Sequence, residues 1–431
     1  MKAIRVDYSP SVNGVVQIPG SKNSSLALLA AACLSDETIT FQGIPNIADF
    51  RVISEMGKEV GLNMKRERNG EVSIDPRSIF STSFDPKKSS SFRTAYYFIG
   101  ALLAKYGKVS VGYPGGDDFV SRPIDQHIKA FEMMGATFTY HQDYYEVEAK
   151  ELHGATVYFD TITSGATINA MLAAVRAKGE TVLLNAARDP EVIDTAIFLN
   201  KIGADISGAG TDTIRITGVT QLQGGSHRVI PDRLIAGSFL IAAGVAGGNV
   251  TVTDVIPEHL GSCIAKLEEV GVEIDVQDNA ITARSTGKLA ASRIRTGMYP
   301  SFPTDLQQPM TTLFTQAEGK SIVAEKIYPN RFKHVGQLRK MGADIRMRTG
   351  VAFVKGKSSL QGSIVMASDI RAGISLILAG MVAKGTTYIT GVEHIERGYE
   401  DVIRAFHSIG VQIKKEDIQF GLDNQVLGEV K

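Results

Sequence analysis

The sequence predicts an α/β protein of two domains, assembled from six repeats of a βαβαββ-type unit, three per domain. Three observations carry that expectation. A helix that ends at glycine and runs into a short alternating strand occurs six times, as EMGKEVGLNMK, FEMMGATFTY, LNKIGADIS, LEEVGVEID, LRKMGADIR and FHSIGVQIK. The anchor glycines Gly61, Gly135, Gly203, Gly271, Gly342 and Gly410 are spaced by 74, 68, 68, 71 and 68 residues, and a near-constant period marks a repeat architecture. Ahead of each anchor stands an Ala/Leu-rich helical run, a turn and a β-rich segment, as in LSDETITFQGI, KYGKVSVGY, AKGETVLLNA, AGGNVTVTDV, AEGKSIVAEK and AKGTTYITGV.

Each unit thus reads helix, strand, helix, strand, closed by a further strand such as EVSIDP or DTIRITG. The anchor glycines suit the left-handed residue that follows a helix C-terminus, where a Cβ is penalised. One unit alone leaves a helix and a sheet face exposed, so the units must pack together. The Gly- and Gln-rich run TGVTQLQGGSHRV falls between the third and fourth units and reads as a linker, which divides the six into two groups of three. The strand-like N-terminal segments KAIRVDY and GVVQIPG are assigned to the second group. One domain is then residues 1–21 plus 230–431 and the other residues 22–229, with chain crossings near Gly20 and Val229 and an expected cleft between the domains.

With 431 residues, a hydrophobic fraction of 43% and a formal net charge of zero, the chain has material for more than one core. Balanced charge exerts no long-range attraction on nucleic acid or an anionic membrane, so neither is expected as a partner, and a bound anion must be held by a local cluster. The start, MKAIRVDYSP, lacks the apolar stretch of a signal peptide, and LALLAAACL is too short to span a bilayer, which points to a cytoplasmic protein. Cys33 and Cys263 lie in separate apolar helical runs, an arrangement that argues for plain buried packing and against a disulfide or a Cys-based metal site.

The first helix of each unit opens near a candidate cap: Ser21, Ser91, Ser164, Asp232, Asp305 and Asp369. Helix N-termini present unpaired N–H groups and partial positive charge, so several of them together would hold phosphate and carboxylate. Cations recur close by, at Lys22, Arg93, Arg122, Arg331, Arg371 and Arg397. A lone Lys or Arg is most often a solvated surface charge. Recurrence at matching places in different units, together with the paired donors of guanidinium, points instead to a small ligand with several negative charges. Nucleotide motifs of other kinds are missing: GKS after Glu318 has Phe314 where a P-loop needs Gly, and no GxGxxG or HExxH occurs.

Set within six such units, the segments IPGSKN, YPGG, SRPIDQHI, SGATIN, NAARDPEVID, IPDR, FPTDLQQP, NRFKHV, ASDIRA and HIERGYE resemble the UDP-N-acetylglucosamine enolpyruvyl transferase family, from about Gly14 to Gly410. The resemblance implies an inside-out α/β barrel of two three-repeat domains. It also implies transfer of the enolpyruvyl group of phosphoenolpyruvate to the 3′-hydroxyl of UDP-N-acetylglucosamine with release of phosphate, the first committed step of peptidoglycan synthesis. Two small-molecule substrates follow, with no cofactor, no metal and no obligatory protein partner. By the same resemblance, Lys22, Asn23, Arg122, Arg331, Arg371 and Arg397 grip phosphoenolpyruvate. The UDP-sugar falls to Arg93, Arg122, Pro123, Ile124, Asp125, Gln126, Thr163, Ser164, Gly165, Asp305 and the backbone of Ile327. An addition–elimination through a tetrahedral ketal needs a base at the acceptor hydroxyl, which the resemblance places at Asp305, and a proton donor, which it places on a mobile loop at 113–123. Lys22 and Arg397 stabilise developing charge in this scheme, while Asp369 is a helix cap, a catalytic assistant or both.

The sequence departs from the family at one telling position. Most members carry Cys after the PGG turn, but here Asp117 follows Gly116, with Asp118 after it. A free Asp has a pKa of roughly 4, so it donates a proton near neutrality only if burial or the substrate's charge raises that value. Fosfomycin alkylates the family's thiolate, and a carboxylate is a far poorer nucleophile toward its epoxide, so intrinsic resistance is expected. The bland alternative is an inert acidic turn. Two rival functions stand beside this reading. The sister enzyme acting on shikimate 3-phosphate carries Ser where this chain has Asn23 and a GNAGT-type segment that SSSFRTAYY replaces. A silent sugar-nucleotide binder would have no use for Lys22, Asp305, Arg371 and Arg397.

Overall fold

A computed structural model describes residues 1–115, 123–420 and 426–429. The chain divides into two compact units, one of Met1–Ile18 with Pro231–Lys431 and one of Pro19–Ile230. The third repeat shows the pattern most completely. Strand Thr156–Tyr158 leads into helix Ser164–Ala174, and strand Glu180–Leu184 returns parallel to the first, with Leu183 opposite Val157. Helix Pro190–Lys201 follows, and the strands Asp205–Ser207 and Thr213–Thr217 close the sheet as an antiparallel pair. The described strands form six separate sheets, three in each unit.

Helices fill the interior of each unit and sheets lie outside them. In the first unit the helices Arg233–Ala246, Thr304–Gln316 and Ile370–Val382 pack on one another, buried from Leu234 to Val245, from Leu306 to Gln316 and from Ile370 to Met381. In the second, helix Tyr97–Tyr106 packs on both Lys22–Ala32 and Ser164–Ala174. The run LALLAAACL is thus one of these inner helices, and no described helix is long and apolar enough to cross a membrane. Small residues allow the close approach: a Cβ on Gly100 would stand 2.3 Å from the carbonyl oxygen of Asn169. Both cysteines are buried within these helical layers, and burial pushes each thiol up to about 12.

The six anchor glycines all have positive φ, from 86° to 110°. In every copy the residue after the glycine donates its N–H to a carbonyl five positions back: Leu62 to Gly57, Ala136 to Phe131, Ala204 to Leu199, Val272 to Leu267, Ala343 to Leu338 and Val411 to Phe406, at 2.9 to 3.1 Å. This is the helix-ending motif that needs a left-handed residue, and it explains why the repeat keeps glycine there.

Two expectations are corrected. The run from Thr217 to Val229 is more than a linker, because Gly225–Arg228 is a strand lying parallel to Ile39–Gln42, with Ser226 opposite Thr40. It supplies the leading strand that the first repeat lacks in sequence. Reciprocally, Val12–Gln17 lies parallel to Gly248–Thr253 and leads the fourth repeat, while Lys2–Asp7 runs antiparallel between Thr386–Thr390 and Ile413–Phe420. Among the candidate caps, Ser21, Asp232 and Asp369 accept N–H bonds from their helices. Ser91 instead ends the short helix Pro86–Ser91, Ser164 is a first helical residue behind Thr163, and Asp305 lies inside the first turn behind Pro303. There Asp305 is released from capping, so its carboxylate is available to other partners.

Candidate functional site

In the first unit, two arginines meet one carboxylate. Arg331 Nη1 lies 2.6 Å from Asp305 Oδ1, and Arg371 Nε lies 3.2 Å from Asp305 Oδ2. The arginine side chains are 7% and 4% exposed, whereas that of Asp305 is 27% exposed. The carboxylate is therefore the member of the cluster that solvent or a ligand can reach. The sequence brings them together by repeat logic: Asp305 and Arg371 sit in the first turns of two neighbouring inner helices, and Arg331 precedes helix Lys333–Lys340. Asp369 caps its helix through Oδ1, accepting from the N–H groups of Arg371 at 2.9 Å and Ala372 at 3.1 Å. Its Oδ1 also stands 3.8 Å from Arg331 Nη2, and Oδ2 accepts from Gln308 Nε2 at 3.3 Å.

Burial works against charge on both guanidiniums, but Asp305 leads the opposing pull and each pKa is raised above the ordinary value. Both stay cationic, and the Nη1 of Arg371 is buried with no hydrogen-bond acceptor among the described residues. A buried cationic donor without an acceptor is an anion site in waiting. Burial pushes the phenol of Tyr399 up to about 12 against the pull of Arg371, so it stays neutral beside the cluster. His334 is also fully buried; desolvation, with Arg331 adding to it, holds its imidazole down at about 3. Arg397 follows helix Val392–Glu396 in the same unit and is half-buried. The N–H of Ile327 donates to Glu325 Oε1 at 2.8 Å.

The second unit carries the remaining described candidates. Lys22 opens its helix behind the cap Ser21, and Nζ lies 2.8 Å from Oδ2 of Asp49, the two side chains being 15% and 4% exposed. Asn23 is the next helical residue and half-buried. Arg93 places its guanidinium over the Tyr96 ring, 5.6 Å from the centroid, and that ring meets the imidazole of His127 at 4.6 Å. Asn169 Nδ2 reaches Nδ1 of His127 at 3.1 Å and donates to the Tyr96 carbonyl at 2.8 Å. Burial, followed by the charge of Arg93, holds His127 at about 3, so the ring is neutral and its Nδ1 is the acceptor. Gly165 completes this cluster, since a Cβ there would stand 2.6 Å from the Tyr96 hydroxyl. Thr163 and Ser164 start the same helix, and Thr163, Ser164 and Gly165 are all half-buried.

Pro123 and Asp125 are exposed, Ile124 half-buried, and Gln126 buried. Gln126 has its amide on Asp125 and Asp160 at 2.7 and 3.3 Å. Asp117 and Arg122 lie outside the described residues. Sequence reasoning missed Asp49, Tyr96, His127, Asn169 and Glu325; HI after the DQ of RPIDQHI and the SGATIN segment held the signal for His127 and Asn169. Among the described residues no group of three or more His, Cys, Asp or Glu is arranged to hold a metal ion.

Residues 6–406 match the family model of EPSP synthase (3-phosphoshikimate 1-carboxyvinyltransferase). A relative from Bacillus cereus named UDP-N-acetylglucosamine 1-carboxyvinyltransferase 2 is 44% identical over 97% of both chains. Proteins of the same name from Geobacillus kaustophilus and Listeria innocua are 45% and 46% identical, covering 96% and 93% of this chain and 97% and 95% of their own. Among solved structures, the enolpyruvyl transferase NikO from Streptomyces tendae superposes with a TM-score of 0.87 at 22% identity, covering 96% of this chain and 98% of its own. An EPSP synthase from Acinetobacter baumannii superposes at 0.73 and 18% identity, covering 97% and 100%. The chain belongs to the enolpyruvyl transferase family, and its relatives at 44–46% identity are named UDP-N-acetylglucosamine 1-carboxyvinyltransferases.

Proposed function

We propose that this enzyme transfers the enolpyruvyl group of phosphoenolpyruvate to the 3′-hydroxyl of UDP-N-acetylglucosamine, in the cytoplasm, as a step of peptidoglycan synthesis. The observation that carries the reading is Asp305: the reachable carboxylate, held at hydrogen-bond distance from two buried, permanently charged arginines. The acceptor hydroxyl adds to C2 of phosphoenolpyruvate while Asp305 takes its proton, and C3 gains a proton from Asp117. The resulting tetrahedral ketal expels inorganic phosphate and loses a C3 proton, which restores the vinyl group. Arg331, Arg371 and Arg397, with Lys22, Asn23 and Arg122, neutralise the carboxylate and phosphate. The sugar nucleotide is assigned to Arg93, residues 122–126, Thr163–Gly165 and Ile327. Asp369 holds Arg371 and the helix start in place.

Asp in place of the family's thiol implies fosfomycin resistance. A phosphate-release assay with each acceptor decides the reading: release with UDP-N-acetylglucosamine but not shikimate 3-phosphate supports it, and the reverse, or no release with either, overturns it. Run with fosfomycin, the same assay is expected to show unchanged release.

A further inference from the structure

Glu325, at the exit of strand Gly319–Ala324, is 1% exposed, yet the described residues hold no cation paired with it. A buried carboxylate is costly unless fully hydrogen-bonded, and this one gathers four donors. Its Oε1 accepts from Thr296 Oγ1 at 2.6 Å and from the N–H groups of Ile327 at 2.8 Å and Tyr328 at 2.9 Å. Its Oε2 accepts from Thr304 Oγ1 at 2.9 Å. Thr296 Oγ1 in turn accepts from the N–H of Lys326 at 2.8 Å, so three successive N–H groups of one turn converge on this carboxylate and its neighbour.

Thr304 is the first residue of the helix that carries Asp305, and its Oγ1 accepts from Arg331 Nη1 at 3.2 Å. The same Nη1 donates to Asp305. Glu325 therefore ties two pieces together: the turn at Lys326–Tyr328, and the helix start that presents Asp305 and receives Arg331. We propose that Glu325 is a positioning residue that holds the Ile327 backbone and the Asp305–Arg331 pair in one register for the acceptor sugar. The inference rests on the function proposed above, which gives those two pieces a common substrate. Without the carboxylate, two part-buried N–H groups and two hydroxyls lose their acceptor, and the turn rotates toward solvent to satisfy them.

The test uses three variants of the full chain, with folding followed by thermal denaturation. Glu325→Ala is expected to raise the Kd for UDP-N-acetylglucosamine, titrated without phosphoenolpyruvate, and to lower kcat, each by roughly tenfold, short of the hundredfold that a 1 Å misplacement costs. The KM for phosphoenolpyruvate stays within about threefold, because Arg331 keeps Asp305 and Asp369. Glu325→Gln retains one oxygen for the three donors on Oε1 and is expected to recover most of the affinity. Thr304→Val removes the bridging hydroxyl at nearly constant shape and should lower kcat while leaving Kd near wild type. Wild-type turnover alongside a folded Glu325→Ala protein with Kd and kcat within twofold of wild type overturns the positioning role alone. A Glu325→Gln protein no better than Glu325→Ala overturns that role as well. A wild type that does not bind UDP-N-acetylglucosamine overturns the proposed function and the positioning role with it.

Discussion

Replacing Asp305 by Asn should move stability, substrate affinity and turnover in different directions, because one carboxylate serves two buried cations. At about 4 Å and an effective dielectric constant near 20, a unit ion pair is worth about 4 kcal/mol, and breaking a buried pair typically costs about 3–5 kcal/mol. Asp305 is 27% exposed and Arg331 retains Asp369 at 3.8 Å, so the expected loss of folding free energy is smaller, about 2–3 kcal/mol. The guanidiniums then meet an incoming anion without competition from Asp305, although Arg331 keeps Asp369. Phosphoenolpyruvate should bind about fivefold tighter, which corresponds to about 1 kcal/mol. Turnover should fall by about two to four orders of magnitude with the loss of a general base. Urea denaturation, calorimetric titration of phosphoenolpyruvate and single-turnover phosphate release read the three effects separately. A kcat within tenfold of wild type would refute the assignment of the base. Phosphoenolpyruvate binding ten times weaker in Asp305→Asn would refute the view that Asp305 and the substrate compete for the same arginines.

Acid should unfold the protein earlier than its carboxylates alone require. His127 and His334 are held neutral at about 3 in the native state, below the usual 6.5 of the unfolded chain. The unfolded state thus binds extra protons as pH falls from 6.5 toward 3, and stability present above 6.5 is lost in that window at up to about 1.4 kcal/mol per pH unit for each ring. His334→Gln is expected to flatten the urea-derived stability slope between pH 6 and 4 by about one proton; an unchanged slope refutes the assignment. Gly165→Ala should weaken UDP-sugar binding by roughly fivefold to tenfold through overpacking on the Tyr96 hydroxyl, with Tyr96→Phe restoring part of the loss in a titration. Asp117→Cys should make the enzyme labelable by fosfomycin, read as a mass increase, and wild-type labelling at Asp117 would contradict the proposed resistance.

The repeat was legible in the chain because its punctuation is local. Gly61 and its five counterparts end helices through bonds that span five residues, and only glycine adopts the required φ cheaply. The alternation after each glycine marked the strands for the same reason. The leading strand of the first repeat was not legible, since Gly225–Arg228 finds its partner about two hundred residues away; Val12–Gln17 was legible as a strand of the second group, but its pairing with Gly248–Thr253 was not. The cap at Asp305 failed on a shift of two residues: Pro303 holds the cap position, and the carboxylate turns to arginines instead.

For the candidate site, residue types and motifs picked out Asp305, Arg331 and Arg371, and tertiary structure joined them through one carboxylate. Asp49 and Glu325 gave no such signal, and His127 and Asn169 lay inside motifs without being singled out, because each matters through what it touches: Lys22, a turn of backbone N–H groups, the Tyr96 ring and the Tyr96 carbonyl. The sequence by itself determined the repeated unit, through glycine stereochemistry and hydrophobic period, both of which act over a few residues. Only the tertiary structure decided which strands complete the sheets and which buried polar groups hold the charges, because those are choices of partner among distant residues, made by burial and hydrogen-bond geometry.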